Sequence, residues 1–149
     1  MKHLLQLFGL ILMAHLSKSD YGGFQSCVYE EFGKSFDDKS VLCKIIQFNA
    51  DKSIPQIIEY YSCAFTRMEY YWDRKGMYVD SIKKDMVKAG LANGDDVPRV
   101  ISECEQKHGS DVKPYDYMNC LLSDAKTKDL FKKVMISHDE AFFKQNFCN

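Results

Sequence analysis

The sequence lacks the short motifs that carry the common hydrolytic, nucleotide-dependent and metal-dependent chemistries. It has no Gly-x-Ser-x-Gly segment, no Gly-rich phosphate loop, no His-Glu-x-x-His zinc motif and no EF-hand calcium loop. It also has no pair of cysteines two residues apart, and beyond residue 19 it offers only His108 and His138 as imidazole ligands. We therefore expect a protein that is not an enzyme and that holds neither a metal ion nor a cofactor.

The pair His138-Asp139 leaves one enzymatic alternative, a phospholipase A2. That chemistry needs a His-Asp pair locked between cysteines and a Gly-rich calcium loop, and neither surrounds His138. A lone histidine on an apolar helix face is usually structural, so we interpret His138 as a residue that borders the core. The alternative is a role in a ligand cavity beside Asp139 and Glu140.

Long apolar runs are scarce as well. Residues 1–19 combine a basic start, an apolar run over residues 4–13, and Ser17 and Ser19 at a fitting peptidase site, so they predict a signal peptide and a secreted protein. No later segment approaches the ~20 apolar residues of a transmembrane helix. The 20 basic and 21 acidic residues nearly balance, so we expect neither nucleic acid nor an anionic membrane as a partner.

Six cysteines remain in the predicted mature chain, residues 20–149, which has the usual length of one domain. An even number of cysteines in an oxidising compartment predicts three disulfides. Six cysteines allow fifteen pairings, and their spacing alone leaves the choice open. They are Cys27, Cys43, Cys63, Cys104, Cys120 and Cys148.

Residues 53–72 form the longest run with apolar residues at helical spacing, and they predict a central helix. Ser53 is the expected N-cap, and Pro55 fits the first turn because it gives up no hydrogen bond there. Tyr60 and Cys63 fall on the opposite side, so a second face of this helix is expected to be covered. The main buried stripe should contain Ile54, Ile57, Ile58, Tyr61, Phe65, Met68 and Trp72.

The other segments also favour helices. Asp37 and Asp38 could be catalytic carboxylates or calcium ligands, but such a pair before a helix usually caps it. No segment alternates strictly enough for a strand, and residues 73–78 are expected to form a turn. The predicted fold is all-α, with six to seven short helices of varied direction. Besides the central one, they cover about 24–33, 39–49, 81–89 with Gly90 as terminator, 96–109, a segment that opens at Asp111 and Pro114 and continues through Leu121, and 126–143.

Five segments carry a resemblance to a known family: CKIIQF, EYYSCAF, SECEQKHGSD, DYMNCLL and DLFKK. Together with the cysteine order they resemble the insect odorant-binding superfamily, and most closely the short salivary D-seven proteins of blood-feeding flies. The resemblance implies an array of six to eight short helices around an apolar cavity. It also implies the disulfides Cys27–Cys63, Cys43–Cys148 and Cys104–Cys120. Two further cysteines that other members bond to each other are replaced here by Glu59 and Asp111.

The resemblance implies a monomeric salivary protein that scavenges small host mediators and so suppresses haemostasis and inflammation. Amine-binding relatives carry an arginine, a histidine and two acidic residues where this chain has Ile46, Tyr60, Ile136 and Asp139. Since a buried ammonium needs a carboxylate partner, this exchange favours a small hydrophobic, lipid-like or aromatic ligand over biogenic amines. The candidate ligand residues are Ile46, Phe48, Tyr60, Tyr117, Met118, His138 and Asp139.

Two other functions remain open at this stage. One is a carrier of odorants, pheromones or other hydrophobic molecules, and the other is a protein-binding inhibitor of a clotting protease. Aromatic residues make up 13% of the chain; packing explains many of them, and a cavity requires that the disulfides hold the helices apart. Ligand retained through purification would separate both carrier functions from the inhibitor.

Overall fold

The computed structural model describes residues 22–149, and the predicted signal peptide lies outside this range. These residues form eight helices and one short hairpin, β1 (Tyr71–Trp72) with β2 (Gly76–Met77). None of these helices is long and apolar enough to cross a membrane. The helices are α1 (Gly23–Glu31), α2 (Lys39–Ile46), α3 (Ile57–Arg67), α4 (Val79–Lys88), α5 (Asp96–His108), α6 (Pro114–Ser123), α7 (Lys128–His138) and α8 (Glu140–Phe143).

Helix α3 lies at the centre of the array, as the sequence predicts. It packs against α1 on one side and against α6 on another, while α5 and α7 pack on α6 and α4 packs on both α5 and α7. Five of its side chains are fully buried, and their spacing of i, i+3, i+4, i+7 and i+8 places them on one stripe of the helix. They are Ile57, Tyr60, Tyr61, Ala64 and Phe65.

The central helix is shorter than predicted at both ends. It begins only at Ile57, because Gln56 adopts a left-handed conformation (φ 61°) and Ser53 bonds to Asp51 instead of capping the helix. It ends in a Schellman motif, with Glu69 left-handed (φ 61°) and the Tyr70 amide donating to the Phe65 carbonyl at 2.8 Å. The prediction of one helix over 53–72 is therefore wrong at its first and last turns.

The shortened helix changes which residues are buried. Trp72 was expected in the main stripe, but it lies in β1 and is 53% exposed. Ile58 is only half-buried, whereas Tyr60, assigned to the second face, is fully buried. The segment expected to be a turn is a hairpin, in which Tyr71 pairs with Met77. Strands of two residues are too short to show an alternating pattern in the sequence.

Local chemistry explains the other helix ends. The Asp38 carboxylate accepts hydrogen bonds from the amides of Ser40 and Val41, which confirms the capping interpretation. Gly90 ends α4 with a φ of 113°, as predicted. The last predicted helix is instead interrupted at Asp139, whose φ of −153° and ψ of 62° separate α7 from α8.

Three disulfides hold the helices together, and they join the pairs that the resemblance implies. Cys27–Cys63 connects α1 to α3, and Cys104–Cys120 connects α5 to α6. Cys43–Cys148 connects α2 to the C-terminal tail over a sequence separation of 105 residues. Cys27–Cys63 therefore fixes α1 on the central helix, and Cys43–Cys148 fixes the tail on α2.

Candidate ligand-binding site

An aromatic cluster fills the space between α1, α2, α3 and α8. The Tyr60 ring lies 5.6 Å from Phe32 and 6.4 Å from Phe24, between ring centroids. Phe143 contacts Phe24 edge-on at 4.8 Å and stacks on Phe48 at 5.1 Å. The structure therefore gathers the candidates Phe48 and Tyr60 around one apolar interior, and Ile46 is half-buried two residues before Phe48. The aromatic cluster consists of Phe24, Phe32, Phe48, Tyr60 and Phe143.

Phe48 reaches this cluster because α2 ends abruptly. Its backbone is left-handed (φ 57°), which bulky residues rarely adopt. The Phe48 amide donates to the Ile45 carbonyl and the Asn49 amide donates to the Lys44 carbonyl, at 3.0 and 2.9 Å. This Schellman motif holds the backbone of Phe48 in place and directs its ring towards Phe143.

Tyr60 and the adjacent Tyr61 are unusual because their hydroxyl groups are fully buried and make no hydrogen bond to protein. The hydroxyl of Tyr115, whose ring contacts Tyr61, does have a partner, because it donates to the Ala50 carbonyl at 3.1 Å. Burial raises the pKa of the Tyr60 hydroxyl well above its ordinary value, and the nearby Tyr61 and Asp139 raise it further. Burial likewise raises the pKa of Tyr61. Both hydroxyls therefore keep their protons and remain donors.

Asp139 lies beside this cluster, but its carboxylate is already bonded. It accepts hydrogen bonds from the Gln25 amide at 2.8 Å and from the Phe142 amide at 3.3 Å, so it caps both α1 and α8. The carboxylate is 95% buried and packs directly over Gly22, where a Cβ would lie only 2.1 Å from its Cγ. Asp139 was chosen as a candidate ligand residue, and the structure uses it to join the two ends of the chain.

Replacing Asp139 with asparagine tests this capping role. The substitution removes a charge-assisted acceptor and turns an amide donor towards the Gln25 or Phe142 amide, so we expect a loss of about 1.5 to 3 kcal/mol of unfolding free energy. Urea unfolding followed by circular dichroism measures the change. Glu140→Gln is the matched control, because Glu140 is exposed and pairs only with the exposed Lys144. Equal stability of both variants would contradict the capping role.

His138 belongs to a different part of the molecule. Its Nε2 atom lies 3.0 Å from the Tyr70 hydroxyl, and that hydroxyl donates to the Asp85 carboxylate at 2.6 Å. Burial and the hydrogen bond to Asp85 raise the pKa of Tyr70. These three side chains join α7 to α4 and to the end of α3, beside a surface cleft of about 380 Å³ that Lys88 and Lys133 also line. His138 thus borders the core, as expected, but does not face the aromatic cluster.

Tyr117 and Met118 also lie apart from the cluster on α6. The Tyr117 hydroxyl donates to Glu105 of α5 at 2.9 Å, so this side chain has a polar partner of its own. Met118 is fully buried in the core. Ile136, which the resemblance aligns with an acidic residue of amine-binding relatives, is 37% exposed on α7. The candidates therefore divide into a group at the aromatic cluster and residues on α6 and α7.

A small surface cleft adjoins the aromatic cluster through Phe36. It measures about 190 Å³ and lies between α1, α2 and the tail, with Val28, Phe36, Leu42 and Phe147 among its apolar residues and Lys39 at its rim. Phe36 stacks on Phe32 at 4.6 Å, and Phe32 contacts Tyr60. The sequence gives no signal for either residue, because Phe36 lies between the first two helices, outside any periodic segment, and Lys39 is a polar residue at the start of α2.

An acidic cleft has a different character. It measures about 940 Å³, lies between α1, α3 and the hairpin, and carries five carboxylates against two cationic side chains. Burial raises the pKa of Glu31, and the neighbouring Glu30 and Glu59 raise it further. Such an open, acidic surface does not suit an apolar ligand.

Two groups of residues in the described part of the chain have the spacing of metal ligands. One contains Cys104, His108 and Cys120, and the other contains Cys63 with two glutamates of α1. All three cysteines are bonded in disulfides, so their sulfurs cannot act as thiolate ligands. Neither group offers the ligand set of a zinc site.

The helical array, which three disulfides cross-link around aromatic side chains, has the odorant-binding-protein-like fold of the D7 proteins. The solved structure of the AeD7-leukotriene E4 complex matches 96% of this chain with a TM-score of 0.70 and 20% sequence identity, and this chain spans about half (48%) of that one. Over 127 residues the chain is 35% identical to the short form salivary protein D7S1 of Aedes aegypti. This alignment covers 85% of the present chain and 84% of D7S1. No protein-family model matches the chain. At this identity and coverage, the chain belongs to the D7 salivary protein family.

Proposed function

We propose that this protein is secreted into saliva and sequesters lipid-like host mediators, with eicosanoids as the favoured ligand class, and so suppresses haemostasis and inflammation at the bite. The observation that carries the proposal is the aromatic cluster. It is an apolar interior between disulfide-linked helices, and its neighbouring carboxylate, Asp139, is already engaged in two helix caps. Binding would be stoichiometric, with no chemical change of the ligand.

The comparisons support the salivary origin and the ligand class. The relative D7S1 is a salivary protein, and the matched structure is a complex with leukotriene E4. That structure is 20% identical to this chain, so its ligand is a guide to the kind of molecule that the fold can accept. The apolar residues at the aromatic cluster are the reason to assign an eicosanoid-like ligand to this chain.

Electrostatics argue against a biogenic amine in this interior. An ammonium group that leaves water loses several kcal/mol unless a carboxylate compensates it. The Asp139 carboxylate is held by the Gln25 and Phe142 amides, and Ile46 and Tyr60 carry no charge. An amine would have to share the Asp139 carboxylate with the two amides that cap α1 and α8.

An acidic lipid can reach the cluster through the cleft at Lys39. The Lys39 side chain is exposed and forms no ion pair among residues 22–149, so it can pair with a terminal carboxylate, although Asp37 also lines the cleft. The hydrocarbon chain would follow Phe36 and Phe32 towards Tyr60. Because the side chains of the cluster are packed against each other, ligand entry would have to move some of these rings.

Isothermal titration calorimetry against a ligand panel tests the proposal. We expect leukotriene E4 or a thromboxane mimic to bind one to one with nanomolar to submicromolar affinity, about −8 to −12 kcal/mol, and with a negative heat-capacity change from apolar burial. Serotonin, histamine and ADP should bind much more weakly. Tight serotonin binding without lipid binding would contradict the lipid preference. If no ligand of the panel binds, the alternative function as a protein-binding inhibitor of a clotting protease is favoured.

The variant Ile46→Asp locates the site. A carboxylate at this half-buried position should lower lipid affinity at least tenfold, because it places an unpaired charge beside the hydrocarbon chain. A charged residue at Tyr60 is unsuitable for this purpose, since that side chain is fully buried and the variant would not fold. Val87→Asp is the matched control, because Val87 is 47% exposed on α4. Equal lipid affinity of both variants would place the ligand elsewhere.

The runner-up, a carrier of odorants or other hydrophobic molecules, uses the same interior. The salivary relative favours the scavenger. Quantifying the protein in saliva and in antennal fluid separates these two functions, since a scavenger must be present at concentrations comparable to its target.

A further inference from the structure

We propose that the Tyr60 and Tyr61 hydroxyls donate hydrogen bonds to an uncharged oxygen in the middle of the ligand, so that the protein selects oxygenated lipids over plain fatty acids. This inference rests on the proposed function and assigns a specificity device to the same interior. The oxygen would belong to a hydroxyl or carbonyl group on the hydrocarbon chain.

The Tyr60 and Tyr61 hydroxyls lack hydrogen-bond partners in the described part of the protein. Among residues 22–149, these two hydroxyls are the only buried side-chain nitrogen or oxygen atoms without a hydrogen-bond partner. Buried polar groups are nearly always paired, because leaving one unpaired destabilises the folded protein. Tyr115 shows that a tyrosine at this place can be satisfied, since its hydroxyl reaches the Ala50 carbonyl. A pair of donors left without acceptors in the interior points to an acceptor brought by the ligand.

The surroundings of Tyr60 favour an uncharged acceptor. The groups that face Tyr60 are the rings of Phe24, Phe32 and Tyr61, and the Asp139 carboxyl lies close enough to act on its hydroxyl electrostatically. A ligand carboxylate at this depth would be repelled by Asp139 and would find no cation to offset its desolvation. A neutral hydroxyl or carbonyl oxygen carries no such cost. It can accept from a phenol that burial keeps protonated.

Tyr60 and Tyr61 lie deeper in the protein than the cleft at Lys39. Lys39 stands at the rim of the cleft, and two successive ring contacts, Phe36 to Phe32 and Phe32 to Tyr60, separate it from the tyrosines. A lipid whose carboxylate stays near Lys39 therefore meets Tyr60 with its chain and not with its head group. Tyr61 follows on the same helix, with its ring edge-on to Tyr60 at 5.1 Å.

The test compares ligands that differ only in a chain oxygen. Arachidonic acid and its hydroxylated or keto derivative are titrated into the wild type and into Tyr60→Phe, Tyr61→Phe and the double variant. The wild type should prefer the oxygenated acid about tenfold, the gain of about 1.4 kcal/mol expected for one buried hydrogen bond. The phenylalanine variants should lose this preference, the double variant completely, while their affinity for arachidonic acid stays the same or rises.

Thermal melts of the ligand-free variants provide a second readout. Because the replaced hydroxyls have no partner, Tyr60→Phe and Tyr61→Phe should keep or raise the melting temperature. Tyr115→Phe is the matched control: it removes a made hydrogen bond, so it should lower the melting temperature and leave the ligand preference intact.

Three results would overturn the inference while the proposed function stands: equal affinity of the wild type for both acids, a preference that survives in the double variant, or melting temperatures that fall in Tyr60→Phe and Tyr61→Phe as they do in Tyr115→Phe. Failure of the wild type to bind either acid would instead overturn the proposed function together with this inference.

Discussion

Replacing Cys43 and Cys148 together with serine should destabilise the protein by about 4 to 5 kcal/mol. This bond spans 105 residues, so in the chain-entropy model it removes more freedom from the unfolded chain than the other two bonds. It also holds the tail, with Phe147, against the cleft at α1 and α2. We therefore expect the variant to lose lipid affinity as well as stability.

The double variant Cys104→Ser, Cys120→Ser is the control for this prediction. Its bond spans only 16 residues and joins α5 to α6, which already pack against each other, so the expected loss is smaller, about 3 kcal/mol. Guanidinium unfolding under non-reducing conditions measures both losses. Lipid titration should show a defect only in the variant without the bond to the tail. A smaller stability loss at Cys43–Cys148 than at Cys104–Cys120 would contradict the prediction.

The substitution Phe65→Ala should cost about 3 to 5 kcal/mol. Phe65 is fully buried on α3, and its ring contacts Tyr70 at 6.0 Å and Phe131 at 6.4 Å. Truncation removes this apolar burial and leaves a cavity at the centre of the array, where the surrounding helices are cross-linked and cannot collapse freely. It also removes the contact between Phe65 and Tyr70 that accompanies the Schellman motif at the end of α3.

Ile58→Ala is the matched control on the same helix. The sequence places Ile58 in the main stripe, but in the structure it is half-buried at the acidic cleft, so truncation should cost less than about 1.5 kcal/mol. Thermal and urea unfolding of both variants decide the matter. If Ile58→Ala is the more damaging change, α3 buries a different face from the one described above.

The sequence predicts the position of α3 but not its ends. Helical periodicity located this helix and identified it as central, because the spacing of apolar residues is a local property. Its ends were misplaced, since Gln56 and Glu69 adopt left-handed conformations that neither residue type favours. Trp72 was consequently assigned to the core, although it lies on an exposed strand of the hairpin.

The candidate site was harder to predict than the helices. Family resemblance selected Phe48 and Tyr60, which belong to the aromatic cluster, and Ile46, which is half-buried two residues before Phe48. It also selected His138, whose partners Tyr70 and Asp85 lie 68 and 53 positions earlier and draw it to another cleft. Such partners depend on which helices meet, and nothing in the residues next to His138 specifies them.

By itself the sequence determined the helical class, a central helix within residues 53–72, the number of cysteines available for cross-links and, through its resemblance, the family. These properties depend on local periodicity and on residue type. The tertiary structure alone decided that Asp139 caps α1 across 114 residues and that the hydroxyls of Tyr60 and Tyr61 remain unpaired. The physical reason is that a hydrogen bond forms only where distant segments bring donor and acceptor to within about 3 Å, and the order of residues does not encode that distance locally.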